Sequence, residues 1–346
     1  VEDQAADTLL YLNKLTVDTN LWGLTKNKIY LNEVTLQNVV ANVSRKANDS
    51  SFNFDYIISS FNNTDSQKNE PPSQSWDFAI GEIFLKNIRA QYGDEHEGIR
   101  ANLRVSDASL SLEGSDFSNN VFQFNTVEIS ESTGAIELFR GTNPTPVKQT
   151  KGVGNPLEIG FDKVQFSTVD FDFSDYIGNT KITSRIGEFE VEANWIDLEN
   201  SQVDLKNVAL SNSFIAYHTN DSIQTAQEPK SETTPFEWDI QVGELMLAEN
   251  GFQYENFGKP VVEKGFDPNH FWIYSLSANA SAIILKNNDY QAGINKISFH
   301  EKKGLALQEL RFNPLANTST IMLSDFLLRT DKSLINLDAI ARFAGK

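Results

Sequence analysis

Trp76-Asp-Phe-Ala-Ile-Gly-Glu-Ile-Phe-Leu-Lys-Asn-Ile-Arg-Ala-Gln-Tyr92 returns 162 residues later as Trp238-Asp-Ile-Gln-Val-Gly-Glu-Leu-Met-Leu-Ala-Glu-Asn-Gly-Phe-Gln-Tyr254, with Trp, Asp, Gly, Glu, Leu, Gln and Tyr in register and no gap. An ungapped echo is the mark of a repeat architecture. Its apolar spacing fixes the conformation. Ile83, Leu85, Ile88, Ala90 and Tyr92 step by two, then three, then two. Period two is a strand, and one extra residue in the middle is what a bulge inserts, so the stretch reads as a kinked strand. The pair inside the kink is Lys86-Asn87, and Asn tolerates the irregular backbone a corner demands.

The same spacing recurs at Leu10-Leu12-Leu15-Val17, Val34-Leu36-Val39-Ala41-Val43, Leu103-Val105-Ala108-Leu110-Leu112, Phe122-Phe124-Val127-Ile129 and Val164-Phe166-Val169-Phe171-Phe173. It returns at Val203-Leu205-Val208-Leu210, Leu305-Leu307-Leu310-Phe312 and Ile321-Leu323-Phe326-Leu328. Three polar stretches, residues 62–75, Gly141 to Pro156 and Thr219 to Thr234, precede new units at Trp76, Leu157 and Trp238, about 81 residues apart. The parse is therefore four β units, 1–70, 71–145, 146–230 and 231–346, as parts of one continuous groove. The expected class is mostly all-β: an elongated, curled, repetitive sheet forming an apolar groove, with one or two short helices. Phe54, Ile57, Ile58 and Phe61 fall at helical spacing near 54–61, and a second helix is expected around Leu337 to Phe343.

Along each strand one face is apolar. In Val169-Asp-Phe-Asp-Phe173 the apolar residues face one way while Asp170 and Asp172 face the other, and no glycine turn or further ligand makes a calcium loop with Asp175. Helices to cover that face are scarce. A second sheet or the curl of the sheet itself must cover it, and a curl that stays open leaves a greasy trough.

Chemistry-bearing patterns are missing. The four histidines, His96, His218, His270 and His300, stand apart and read as surface or strand-end residues, and there are no cysteines. Gly152-Val-Gly154 lacks the third glycine of a dinucleotide fingerprint, and no nucleophile elbow or Walker loop occurs. Glu82 and Glu244 match across the echo and read as outer-face charges against aggregation. With a net charge of −18 and scattered Lys and Arg, a nucleic-acid partner is not expected. No enzyme activity, catalytic residue, metal or cofactor is expected. The chain opens at Val with no signal peptide and no run of eighteen apolar residues, and reads as a fragment of something longer.

Two stretches resemble a known family. Lys28-Ile-Tyr-Leu-Asn-Glu-Val-Thr-Leu-Gln-Asn-Val-Val-Ala-Asn-Val-Ser-Arg45, followed by Ser50-Ser-Phe-Asn-Phe-Asp-Tyr-Ile-Ile58, resembles the AsmA/TamB family, in which such a strand runs through a Gly-x-(Phe/Trp)-Asn turn into a short helix. Here a serine stands for the glycine, and Val39 stands where Pro is common. Ile297 to Phe312 with Ile321 to Leu337, and the opening Asp7 to Leu12, are similar to TamB-type sequence. The resemblance implies a periplasmic protein held in the inner membrane by a segment absent from this chain, and a β-groove that moves phospholipids between inner and outer membranes. It also implies an older role, assembly of outer-membrane proteins beside an Omp85-type barrel.

The resulting expectation is a lipid-transfer segment lined by Leu36, Leu85, Ile88, Val105, Leu110, Phe124, Val169, Phe171, Leu247 and Phe252, with the helix of Phe54, Ile57, Ile58 and Phe61 at the groove mouth. The alternative is a structural or assembly-platform β-protein with a closed core and no lipid conduction.

Overall fold

The structure, a computed structural model, describes residues 1–20, 28–49, 51–57, 77–115, 121–142, 158–197, 200–222, 238–286 and 289–343. The three polar stretches lie largely outside these, as do Trp76, Ile58 and Phe61. The chain is nearly all β. Its strands are β1 (Leu10–Asn20), β2 (Lys28–Arg45), β3 (Asp77–Asp94), β4 (Ile99–Leu112), β5 (Val121–Leu138), β6 (Glu158–Asp175), β7 (Thr180–Asp197) and β8 (Gln202–Ser211). They continue with β9 (Phe214–Thr219), β10 (Asp239–Asn256), β11 (His270–Lys286), β12 (Asp289–Glu301), β13 (Ala306–Ala316), β14 (Thr320–Thr330) and β15 (Leu334–Arg342).

Two compact units divide the chain, Val1–Ile159 with Phe171–Ile177 and Gly160–Asp170 with Gly178–Lys346, so that β6 contributes to both. In the first, β1 to β5 lie side by side in chain order; β2 and β3 run parallel and the other pairs antiparallel. In the second, β8 and β9 are one strand interrupted at Asn212-Ser213. Both halves pair antiparallel with β7, with an irregularity at Ala193, and parallel with β10 in unbroken register, and β10 to β15 then pair antiparallel in sequence.

The kink is present, and in the first unit it is shared. Gln37 faces Lys86 and Val39 faces Ile88, so Asn38 and Asn87 stand at one level and the register does not slip. The same holds between Leu12–Val39 and Lys14–Gln37, between Lys86–Asp107 and Ile88–Val105, and between Arg104–Thr133 and Asp107–Ser130. A bulge opposes two residues to one; here each strand carries its own extra residue at the same level, and the sheet turns a common corner. Asn38, Asn87 and Glu131 adopt φ of 54°, 53° and 47° there, in the left-handed region, and Asn87 Nδ2 donates to Asn38 Oδ1 at 2.7 Å. One odd residue would turn every later side chain to the other face if it were extended; the left-handed residue restores the alternation. Between β14 and β15 the irregularity is a true bulge, with Ser324 and Asp325 opposite Asp338, whose Oδ1 accepts from Asp325 N at 2.7 Å.

The echo extends to a third strand. β3, β6 and β10 begin at 77, 158 and 239, a constant 81 apart, and Asn87, Thr168 and Glu249 hold the left-handed corner at φ 53°, 57° and 53°. The echo's glycine has a steric cause. A Cβ on Gly81 would meet Asn32 O at 2.8 Å and one on Gly243 would meet Lys206 O at 2.7 Å, both on the neighbouring parallel strand.

One expectation is corrected. The segment around Leu337 to Phe343 is not helical: through Arg342 it is β15, paired to β14 from Thr320↔Arg342 to Arg329↔Leu334. The open edge of β14 supplied hydrogen bonds that local apolar spacing could not reveal. Of the helix expected near 54–61 the structure describes the residues up to Ile57; Asp55–Ile57 are helical, with Phe54 stacked on Phe52 at 5.5 Å.

Candidate functional site: the apolar face

The register aligns the apolar residues of neighbouring strands into rows. In the first unit these are Val17–Val34–Ile83–Leu110–Val127, Leu15–Leu36–Leu85–Ala108–Ile129 and Leu12–Val39–Ile88–Val105. The opposite face carries Asp18–Glu33–Glu82–Ser111–Thr126 and Lys14–Gln37–Lys86–Asp107–Ser130. In the second unit one row runs from β7 through β8 and β10 to β15, Phe189–Leu210–Leu247–Ala278–Ile297–Leu310–Leu328–Ile335. Its outer face is laced by ion pairs, Lys163 to Glu190 at 3.1 Å and Lys206 to Glu192 at 2.9 Å. Lys206, which donates to Glu192, draws that carboxyl below its ordinary range.

All ten expected lining residues lie on described strands. Leu36, Leu85, Ile88, Val105 and Leu110 belong to the rows above, and Phe124 faces Leu112. Phe252 faces Ile215 and Ile273. Val169 is the first residue after the Thr168 corner, and Phe171 the next on its side. Of the ten only Val105, at 5 % exposure, is buried; Phe171 is exposed and the other eight are partly exposed. Rows that close on themselves would bury such residues almost completely. Towards the β1 edge the apolar side chains lie open, Leu15 at 53 % and Val17 at 44 %.

Two polar residues sit where the sequence pattern requires apolar ones. Ser132, 3 % exposed, occupies the row position beside Val105; its hydroxyl donates to Ser130 O at 2.7 Å and accepts from Ser106 N. In the second unit Ser213 and Asn250 take that corner position. Asn250 Oδ1 accepts from Ser213 N at 3.0 Å, and Asn250 Nδ2 donates to Leu210 O at 2.8 Å. These side chains satisfy the backbone that the corner frees. The signal for these corners is a small or polar residue where an apolar row should continue.

Among the buried titratable groups, Asp94 ends β3 and His270 begins β11. At the end of β3, burial works to raise the Asp94 carboxyl, but Arg45 and the N–H groups of Glu97 and His96 outweigh it and hold it low. His96 lies beside Glu97, His218 packs on Phe257 and His300 stacks on Tyr274. His270 is a strand-end residue, the first of β11. It is buried, with Nδ1 3.1 Å from Asp267 Oδ2. Glu82 is exposed on the outer face, and Glu244 accepts from Asn279 Nδ2 at 3.2 Å.

No family model, no curated protein and no solved structure matches this chain.

Proposed function

We propose that the chain is a lipid-carrying β-segment whose apolar rows hold the acyl chains of phospholipids. The observation that supports this is the alignment of half-exposed apolar residues, strand after strand, on one face of a sheet whose other face is charged. Contiguous exposed apolar surface on this scale needs an occupant. Each methylene taken from water contributes about 0.8 kcal/mol, and neighbouring rows offer nearly the same surface, so a chain shifts between them at little net cost. The likeness of residues 28–58 and 297–337 to AsmA/TamB sequence points the same way, towards traffic between inner and outer membranes from the periplasm.

The test is extraction of detergent-free protein with organic solvent, followed by mass spectrometry. Phospholipid recovered with the wild type and lost from a folded Leu85→Arg variant supports the reading. A lipid-free protein whose unfolding transition ignores added phospholipid refutes it, and leaves the structural or assembly-platform role.

A further inference from the structure

Away from the apolar rows, the second unit displays apolar side chains on a loop. The connection from β10 to β11 carries Phe257, Val261, Val262 and Phe266 at 64, 63, 43 and 56 % exposure. The loop is well fastened. Asp267 is fully buried and accepts from Val262 N at 2.7 Å and Asn269 N at 3.0 Å, and Asn256 Oδ1 accepts from Gly258 N at 3.0 Å. Lys303, in the turn between β12 and β13, donates to Val262 O and lies 3.7 Å from Asp267 Oδ2, tying the two connections together. The buried carboxylate therefore holds the loop in a shape that keeps its apolar residues outside.

The charge around them is unlike the rest of the chain. Lys259, Lys264 and Lys302 are exposed beside them, with Glu263 and Asp221 the exposed acids at the loop once Asp267 is matched with Lys303, on a chain of net charge −18. Lys302 lies over the ring of Trp272, 4.8 Å from its centroid, and Trp272 is itself 37 % exposed. Projecting apolar side chains with lysines around them and a half-exposed Trp behind match the layers of a bilayer surface, with hydrocarbon deepest, aromatic rings at the head groups and cations among anionic phosphates.

We propose that this loop pair docks on the surface of a bilayer containing anionic phospholipid, with Val261 and Phe266 entering the head-group boundary. The docking does not depend on where acyl chains lie on the apolar rows, since a protein that carried no lipid would still bind through it.

The test uses the full chain sedimented with vesicles of phosphatidylcholine, alone or with about a third phosphatidylglycerol. The wild type binds the anionic vesicles. Phe257→Ser/Phe266→Ser weakens that binding at least about tenfold, Lys259→Gln/Lys264→Gln removes the preference for the anionic lipid, and Ile340→Ser, an exposed apolar change on β15, leaves both unaltered. Because the chain has no cysteine, a nitroxide on Val261→Cys reports immersion without altering either phenylalanine. A wild type that ignores anionic vesicles, including one whose loop instead serves a protein partner, overturns the proposal. So do a phenylalanine variant that binds normally, an equal loss in Ile340→Ser, or a Val261 label left in water on bound protein. The loop variants keep their extractable lipid and Leu85→Arg keeps its vesicle binding, so the two proposals fail separately.

Discussion

Gly81 and Gly93 lie on the same strand, β3, and the same substitution should act on them in opposite directions. A Cβ at position 81 would stand 2.8 Å from Asn32 O, a backbone atom of β2, whereas one at position 93 would meet nothing within 4 Å. The Asn32 carbonyl cannot yield alone, because β2 and β3 are paired in parallel on both sides of it, at Leu31↔Ile80 and Glu33↔Glu82. Relieving that overlap costs about 1–3 kcal/mol by analogy with overpacked cores. Alanine recovers about 0.4–1 kcal/mol by restricting the unfolded chain. Gly81→Ala should therefore destabilise by about 1–2 kcal/mol, and Gly93→Ala should be neutral or stabilising by up to about 1 kcal/mol. Amide exchange of β2 and β3, read beside urea unfolding, separates the two. Gly243→Ala, facing Lys206 O at 2.7 Å, should repeat the Gly81 result in the second unit. Equal stabilities for Gly81→Ala and Gly93→Ala would refute the steric account of the echo's glycine.

At the corner, Asn87→Val should cost about 1–2 kcal/mol more than Asn87→Gly in thermal unfolding, because a β-branched residue must adopt φ near 53°. Leu85→Arg should remain folded by the circular dichroism of its sheet, with the guanidinium reaching water along the open face, and should lose extractable phospholipid; unfolding would mean the rows form a closed core. The N–H of Val262, opposed by burial and helped by Asn269 and His270, lowers the Asp267 carboxyl from 3.8 to about 2. A depressed carboxylate contributes stability that is present above 3.8 and lost as pH falls towards about 2. Acid should thus release the loop between those values, read as faster proteolysis at Phe257–Asn269, and Asp267→Asn should release it at neutral pH as well.

The sequence carried the strand corners because they obey a local rule: one extra residue between two period-two runs, often with Asn at the second place. Asn38 and Asn87 are legible on that rule, and so is the sidedness of Leu85 and Ile88. The corner at Glu131 was hidden, since the residue after it is Ser132 and a search for apolar steps passes over a serine. Parallel pairing of β2 with β3 and of β8 with β10 was also hidden, because strand direction is set by long-range hydrogen bonding with no local signature. The run Leu337 to Phe343 fits both periods over so short a length, and pairing with β14 decided it. Phe257-Gly-Lys-Pro-Val-Val-Glu-Lys-Gly-Phe266 did offer a signal, large apolar residues among Gly, Pro and Lys where a turn should be polar.

The shared corner also bears on how a ligand would move. If each strand bent at its own level, the apolar stripe would be broken at every neighbour, and an acyl chain would cross polar outer-face residues to pass from one strand to the next. Because Asn38, Asn87 and Glu131 turn together, Leu36–Leu85–Ala108 and Val39–Ile88–Val105 continue as rows on either side of the corner. The polar residues that interrupt the stripe are already satisfied: Ser213 N and Leu210 O bond to Asn250, and the Ser213 hydroxyl donates to Ser211 O at 2.8 Å and accepts from Gly187 N at 3.0 Å. A group whose hydrogen bonds are complete needs no water, so a hydrocarbon passing over it loses only methylene contact, not the larger cost of stripping a bare donor or acceptor. Replacing Asn250 by an apolar residue would therefore roughen the path, since Leu210 O and Ser213 N would be left facing the hydrocarbon unpaired.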